Sequence, residues 1–237
     1  MLKNIPLPSV LCLDIETVPQ YPTFEDAPLP LQELWNHKAN NIHKNDSETG
    51  AMVYNRAGIY AEFGKIICIS IGYLAYPNNI REFRLTSCYG DDEKLLLTEF
   101  ITILQKFKFN LILCAHNGKE FDFPYISRRM VINGIELPAV LDNSGKKPWE
   151  ILHLDTLDLW RFGDYKNYTP LNLLACVLNI PSPKDDIDGS LVHAVYWKDK
   201  DLKRIVAYCQ KDVITVMQIL LRFKGENILG DHEIKLL

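Results

Sequence analysis

The sequence contains no Cys-x-x-Cys pair and no cysteine set beside a histidine at zinc spacing, which excludes the common structural zinc sites. Its six cysteines, Cys12, Cys68, Cys88, Cys114, Cys176 and Cys209, are scattered, several within apolar runs, and read as reduced core or surface thiols. No N-terminal stretch carries the apolar core of a signal peptide, and no apolar run approaches the roughly 18 residues that a membrane span needs. The expectation is a cytoplasmic protein with no membrane association. An excess of positive charge is missing too. The formal net charge of −4 argues against holding nucleic acid by bulk electrostatics, although a local basic groove or bound cations would still hold phosphates. What is present, 237 residues with 47% hydrophobic and 24% charged residues, describes a single globular domain over 1–237 with ample core.

Against that ordinary background one stretch stands out. Ser9 to Pro19 reads SVLCLDIETVP, an apolar run that suddenly carries two carboxylates, Asp14 and Glu16. Val10, Cys12, Asp14 and Glu16 share one parity, and Leu11, Leu13 and Ile15 the other. Both faces are apolar before the acids begin, as in a central strand covered on two sides. Residues two apart in a strand point the same way, about 7 Å apart along the chain, so the two carboxylates can converge on one small object. Unpaired they would be costly. A hard divalent cation such as Mg²⁺ takes oxygen ligands and makes the pair tolerable. An acid at a strand end is also a common loop residue or helix cap, so D-x-E by itself decides nothing.

After this strand Pro19, Pro22, Pro28 and Pro30 break the backbone, and a short helix is expected behind Pro30. Residues 40–50 are polar and read as a mobile loop closing over whatever the acids bind. Lys65 to Tyr76 and the alternating run IREFRLTS predict two strands joined by PNN at 77–79. Asp91 and Asp92 occupy the first turn of a helical pattern carrying Leu95, Leu96, Phe100, Ile103 and Leu104. FNLILCAHNG reads as another buried strand. The expected strands therefore lie near 9–16, 65–74, 80–86, 109–115 and 151–155.

Two further stretches carry polar groups where packing alone would not put them. His116 to Ile135 has Asn117 at a turn and Asp122 opening a helix with the apolar stripe Phe123, Ile126, Met130 and Val131. Asp122 also fits a plain first-turn acid, and Asn117 a plain turn former; His116 reads as a packed or solvent-facing turn residue. Asp201 to Phe223 is a long helix with the stripe Ile205, Cys209, Val213, Val216, Met217 and Leu220. Tyr208 and Asp212, spaced i and i+4, lie together on its flank. A carboxylate at the margin of a buried face needs a partner.

Three motifs, D-I-E-T (Asp14 to Thr17), N-G-K-E-F-D (Asn117 to Asp122) and Y-C-Q-K-D (Tyr208 to Asp212), resemble in order the three exonuclease motifs of the DEDD superfamily of 3'-5' exonucleases. The chain is similar in particular to the group related to the proofreading domain of family-B DNA polymerases, over nearly its whole length. Position 207 is Ala207 and position 208 is Tyr208, which matches the tyrosine rather than the histidine subclass. The resemblance implies an α/β, RNase H-like fold with a mixed five-stranded central sheet flanked by helices. It also implies two divalent metal ions, Mg²⁺ or Mn²⁺, held by Asp14, Glu16, Asp122 and Asp212. By similarity Asp14 bridges the ions, Tyr208 orients the attacking water, and Thr17, Asn117 and Phe121 contact substrate.

Phosphodiester hydrolysis needs an attacking hydroxide and a stabilised leaving oxygen, and four carboxylates suit the metal pair that supplies both. A phenol with a pKa near 10 is a poor base at neutral pH, which leaves Tyr208 an orienting role. Asp155 and Asp158 are expected to be structural, as a strand-end or cap acid and an exposed first-turn acid. Lys184, Asp185, Asp186 and Asp188 read as a turn, with Lys184 able to approach phosphates, and Arg128 and Arg129 as helix-face charges. The expected activity is release of nucleoside 5'-monophosphates from 3' ends of single-stranded DNA. RNA is the close alternative, and a non-catalytic interaction module on the same fold the other. A polymerase or repair partner would act in trans.

Overall fold

The computed structural model describes residues 2–42, 49–107, 111–166, 168–181 and 187–237. Six strands form one mixed sheet: β1 (Val10–Pro19), β2 (Gly64–Ala75), β3 (Glu82–Tyr89), β4 (Ile112–Ala115), β5 (Leu154–Asp155) and β6 (Ile234–Leu236). Their order is β5-β4-β1-β2-β3-β6. β1 runs antiparallel to β2 and parallel to β4, which places the acidic strand in the middle of the sheet. The helices are α1 (Leu29–Ile42), α2 (Glu93–Leu104), α3 (Asp122–Ile132), α4 (Thr156–Arg161), α5 (Leu171–Val177), α6 (Val192–Ala194) and α7 (Leu202–Lys224). A π-turn, Val195–Asp199, continues α6.

The parity of β1 becomes two cores. Leu11, Leu13 and Ile15 pack with Leu96, Phe100, Phe123, Ile126 and Met130 beneath α2 and α3. Val10 and Cys12 pack with Val213, Val216, Met217 and Leu220 of α7. Every one of these side chains is buried, so β1 is covered on both faces as its doubly apolar pattern requires. Asp14 and Glu16 share the parity of Cys12 and therefore belong to the face that α7 covers. α7 itself is fixed at both ends. The Asp201 side chain accepts from the Arg204 amide, and Gly225 takes the left-handed conformation at φ 72° that closes a helix.

Several sequence expectations are corrected. The sheet has six strands rather than five. β6 pairs in parallel with β3 through only three residues, whose side chains are partly or fully exposed, so no alternation marked it. The helix after the prolines is not short; it has 14 residues. Of the polar stretch expected as a mobile loop, 40–42 belong to the end of α1, while 43–48 lie outside the described residues. So do 109–110 of the fourth expected strand, and Lys184, Asp185 and Asp186.

Arg129 is no surface charge. It is buried, its Nε donates to Glu93 Oε1 at 2.8 Å, and its Nη1 donates to the Ala61 carbonyl at 2.8 Å. Glu93 also accepts from the Ile66 amide and from Asn133, so the pair is fully satisfied. The sequence separation of 36 residues hid this pairing. Five of the six cysteines are buried, Cys176 is exposed, and all are free thiols. Among the described residues no helix is long and apolar enough to cross a membrane.

Candidate active site

The acidic face of β1 ends in a register shift between Glu16 and Thr17, where the strand bulges against β2. Beside the bulge lies a 3-10 helical segment, Ala51–Ile59, whose Gly58 carbonyl accepts from Thr17 Oγ1 at 2.8 Å and from the Tyr125 hydroxyl at 2.7 Å. A Cβ on Gly58 would stand 2.9 Å from the Val18 carbonyl carbon. Glycine is what lets this segment approach the strand closely enough to form a wall of the site.

The second acid comes from the start of α3. The turn before it is held by Asp155, buried at the end of β5, whose carboxylate accepts from the amides of Asn117 (2.9 Å), Lys119 (3.1 Å) and Leu157 (2.9 Å). Asp155 thus caps α4 and positions the loop that presents Asp122, a structural role as expected. Asp158 is half-buried rather than exposed, pairing with Lys119 at 3.2 Å and Arg161 at 2.7 Å. His116 is a packed turn residue, its ring bonded to Thr156 Oγ1 and the Thr169 carbonyl, both at 2.9 Å.

α7 supplies the third group. Tyr208 and Asp212 lie one turn apart, and a hydrogen bond joins the phenol to Asp212. Between them Cys209 donates its thiol to the Asp14 carbonyl at 3.3 Å. The Asp14 and Glu16 carboxylates and the Cys209 sulfur all come within 4.8 Å of one another.

These groups feel one another. Burial, then the charges of Asp212, Glu16 and Asp122, hold the Asp14 carboxyl well above the carboxylate range. Burial and the charges of Asp212, Cys68 and Asp122 do the same to Glu16. Asp122 is pushed up to about 7, chiefly by burial and then by Asp155 and Asp212, with backbone amides partly offsetting them. Burial, followed by Asp212, Glu16 and Asp14, drives the Tyr208 phenol far above its ordinary value. The structure therefore brings Asp14, Glu16, Asp122, Tyr208 and Asp212 into one electrostatic neighbourhood.

The donor set fits hard divalent cations. Among the described residues no lysine or arginine pairs with Asp14, Glu16 or Asp122. Several buried carboxylates without a cation repel one another and favour protonation, a penalty that divalent ions with oxygen preference remove. Cys209 suits them less, because burial keeps its thiol pKa well above the ordinary value.

A cleft of about 460 Å³ opens beside Glu16, lined by Thr17, Arg56, Phe121 and His193 among others. Two of the three expected substrate residues, Thr17 and Phe121, face it. Asn117 does not line it; with φ 61° it shapes the turn, its carbonyl accepting from the Glu120 and Phe121 amides. Arg56, His193 and Cys209 were missed. The first two sit in segments without periodicity, and a cysteine on an apolar stripe looks like any core residue.

A family model for predicted 3'-5' exonucleases related to the exonuclease domain of PolB matches residues 59–229. The chain belongs to that family. The matched residues of this exonuclease-family chain include Asp122, Tyr208 and Asp212 but begin after β1, so Asp14 and Glu16 stand outside them. Among solved structures it is similar to the family B DNA polymerase from the hyperthermophilic archaeon Pyrobaculum calidifontis. The TM-score is 0.50 and the identity 18%, over 90% of this chain and 24% of the polymerase. The chain thus spans about a quarter of that protein's length, and the likeness speaks for the RNase H-like α/β fold. No curated protein matches.

Proposed function

We propose that this chain is a metal-dependent 3'-5' exonuclease of the tyrosine subclass of the DEDD superfamily, acting on single-stranded DNA and releasing nucleoside 5'-monophosphates. The observation that carries the reading is the convergence of four carboxylates from β1, α3 and α7 on one hollow, beside a cleft with Thr17 and Phe121. Asp14, Glu16, Asp122 and Asp212 would hold two divalent ions, Mg²⁺ or Mn²⁺. When bound, such ions lower the pKa of the attacking water and stabilise charge on the leaving 3'-oxygen.

The chain's own groups do the rest. Tyr208 keeps its proton at any physiological pH, so its hydroxyl orients water rather than removing a proton from it. Thr17 and Phe121 contact the terminal nucleotide, while Asn117 shapes the loop that carries Asp122. The protein would work in the cytoplasm, alongside a polymerase or repair partner.

The test is incubation with 5'-labelled single-stranded DNA or RNA in Mg²⁺, Mn²⁺ or EDTA. The expected result is a ladder shortening from the 3' end, faster on DNA, silent in EDTA, with closed circular strands intact. Faster RNA cleavage makes it an exoribonuclease, and nicked circles make it an endonuclease. Binding with no hydrolysis under any metal would make it an interaction module.

A further inference from the structure

Beyond the acid cluster, one segment exposes aromatic rings at a density that folding does not explain. Phe162 is 84% exposed, Tyr165 75% and Tyr168 60%, three rings within seven residues of the loop between α4 and α5. Isolated exposed aromatics need no explanation, but a contiguous set marks an interaction surface. Each of the three rings has a neighbour. Phe162 closes α4 in the left-handed conformation at φ 44°, which a bulky side chain rarely adopts, and its ring lies 6.5 Å from Trp160. The Arg161 guanidinium sits 5.4 Å from the Tyr165 ring centre. Tyr168 meets His116 edge-on at 6.3 Å, and the charges of Asp122 and Asp155 reach its phenol. Tyr168 thus stands at the border of the acid cluster.

We infer that Phe162, Tyr165 and Tyr168 form a stacking platform for the bases of a single-stranded nucleic acid lying upstream of the terminal nucleotide. This inference rests on the exonuclease reading for its occupant: a strand whose 3' end reaches the acids must pass their border, and Tyr168 stands there. Arg161 is already paired with Asp158 and Glu120, and Lys119 with Asp158, so their charges are engaged, while Lys166 lies exposed between Tyr165 and Tyr168, and the three rings offer their π faces. Base stacking on aromatic rings is tolerant of sequence, which suits an enzyme that moves stepwise along any strand.

The experiment measures binding of 5'-fluorescent oligonucleotides of about 12 and about 3 nucleotides by anisotropy in EDTA, where no turnover occurs. The variants are Phe162→Ala/Tyr165→Ala and the ring-keeping Phe162→Tyr/Tyr165→Phe. The alanine pair should weaken binding of the longer strand about tenfold or more, the low end for losing two stacked rings, and weaken the shorter one less. The ring-keeping pair should retain wild-type affinity, and the loss should persist from low to high salt because no phosphate contact is removed. Wild-type affinity in the alanine pair overturns the platform, as does an equal loss in the ring-keeping pair. A monomer–dimer equilibrium abolished by the alanine pair, with oligonucleotide binding untouched, would give the strip to a second copy of the chain and also overturn it. Binding without hydrolysis would sink the exonuclease reading while leaving the platform standing, so the two fail separately.

Discussion

Two groups of carboxylates among the described residues are built in opposite ways. Between α2 and α3, Glu93 is saturated: Arg129, Asn133 and the Ile66 amide all donate to it. At the junction of β1, α3 and α7, the carboxylates of Asp14, Glu16 and Asp122 face one another and Asp212. A buried acid that has its partners holds the fold together. Acids kept close in spite of mutual repulsion, as Asp14, Glu16 and Asp122 are, are poised to hold something from outside.

The sharpest contrast is expected from removing one acid. Asp14→Ala should abolish hydrolysis, measured on labelled single-stranded DNA, while the melting temperature without metal holds or rises because crowding is relieved. An unfolded variant, or one with wild-type turnover, would make Asp14 an ordinary structural residue and erase the distinction between the two regions.

The paired region should respond in the reverse sense. Arg129→Ala strands Glu93 in the core and should cost about 3–5 kcal/mol of stability, read by denaturant unfolding. Residual folded protein should still cleave. A loss of less than about 1 kcal/mol would mean that water reaches Glu93 and that the pair is not the anchor its hydrogen bonds describe.

Tyr208→Phe tests a single oxygen. If the hydroxyl orients the attacking water, single-turnover hydrolysis should fall about 10²-fold while Mn²⁺ affinity barely changes. A merely packed ring would leave the rate untouched, since phenylalanine keeps the aromatic body. Lost metal binding would instead mean that the hydrogen bond to Asp212 holds the site's shape.

The smallest effect is a pH signature of unpaired carboxylates. Asp122 binds its proton more tightly folded than unfolded, with a folded value of about 7. Its contribution to metal-free stability is therefore complete below the unfolded value and lost as pH rises through about 7. Metal-free wild type should be less stable than Asp122→Asn at about pH 8, and the gap should narrow on acidification to about pH 5 and close only below about pH 4, the unfolded value. The buried histidines His116 and His153, whose pKa values are lowered, act oppositely, but both proteins carry them and their effect cancels. Saturating Mg²⁺ should reverse the order at pH 8, because only the wild type gains the full ligand set.

Much of this was legible in the chain before folding. The double apolar parity of Val10 to Ile15 made β1 a central strand, and the i, i+4 spacing put Tyr208 and Asp212 on one flank of α7. Both follow from local periodicities that survive any tertiary arrangement. Asp155 was readable as a cap acid, because a cap is satisfied within a few residues of itself, whereas Asp92 and Asp201, expected as the first residues of their helices, are the N-caps just before them.

What local pattern could not carry is pairing across distance. Arg129 looks like any helix-face arginine until α2 delivers Glu93 to it. Cys209 looks like core until β1 brings Asp14 and Glu16 within reach of its sulfur. Asn117 stands out by its motif, but that its amide donates to Asp155 across 38 residues is visible only in the fold. β6 is too short and too exposed to leave a periodic trace, and only its parallel contact with β3 makes it a strand. The sequence by itself determined the acids and most of the strands and helices, because backbone propensity and side-chain parity are local. The tertiary structure alone decided which acids meet a partner and which meet one another, because that depends on the packing of elements far apart in the chain.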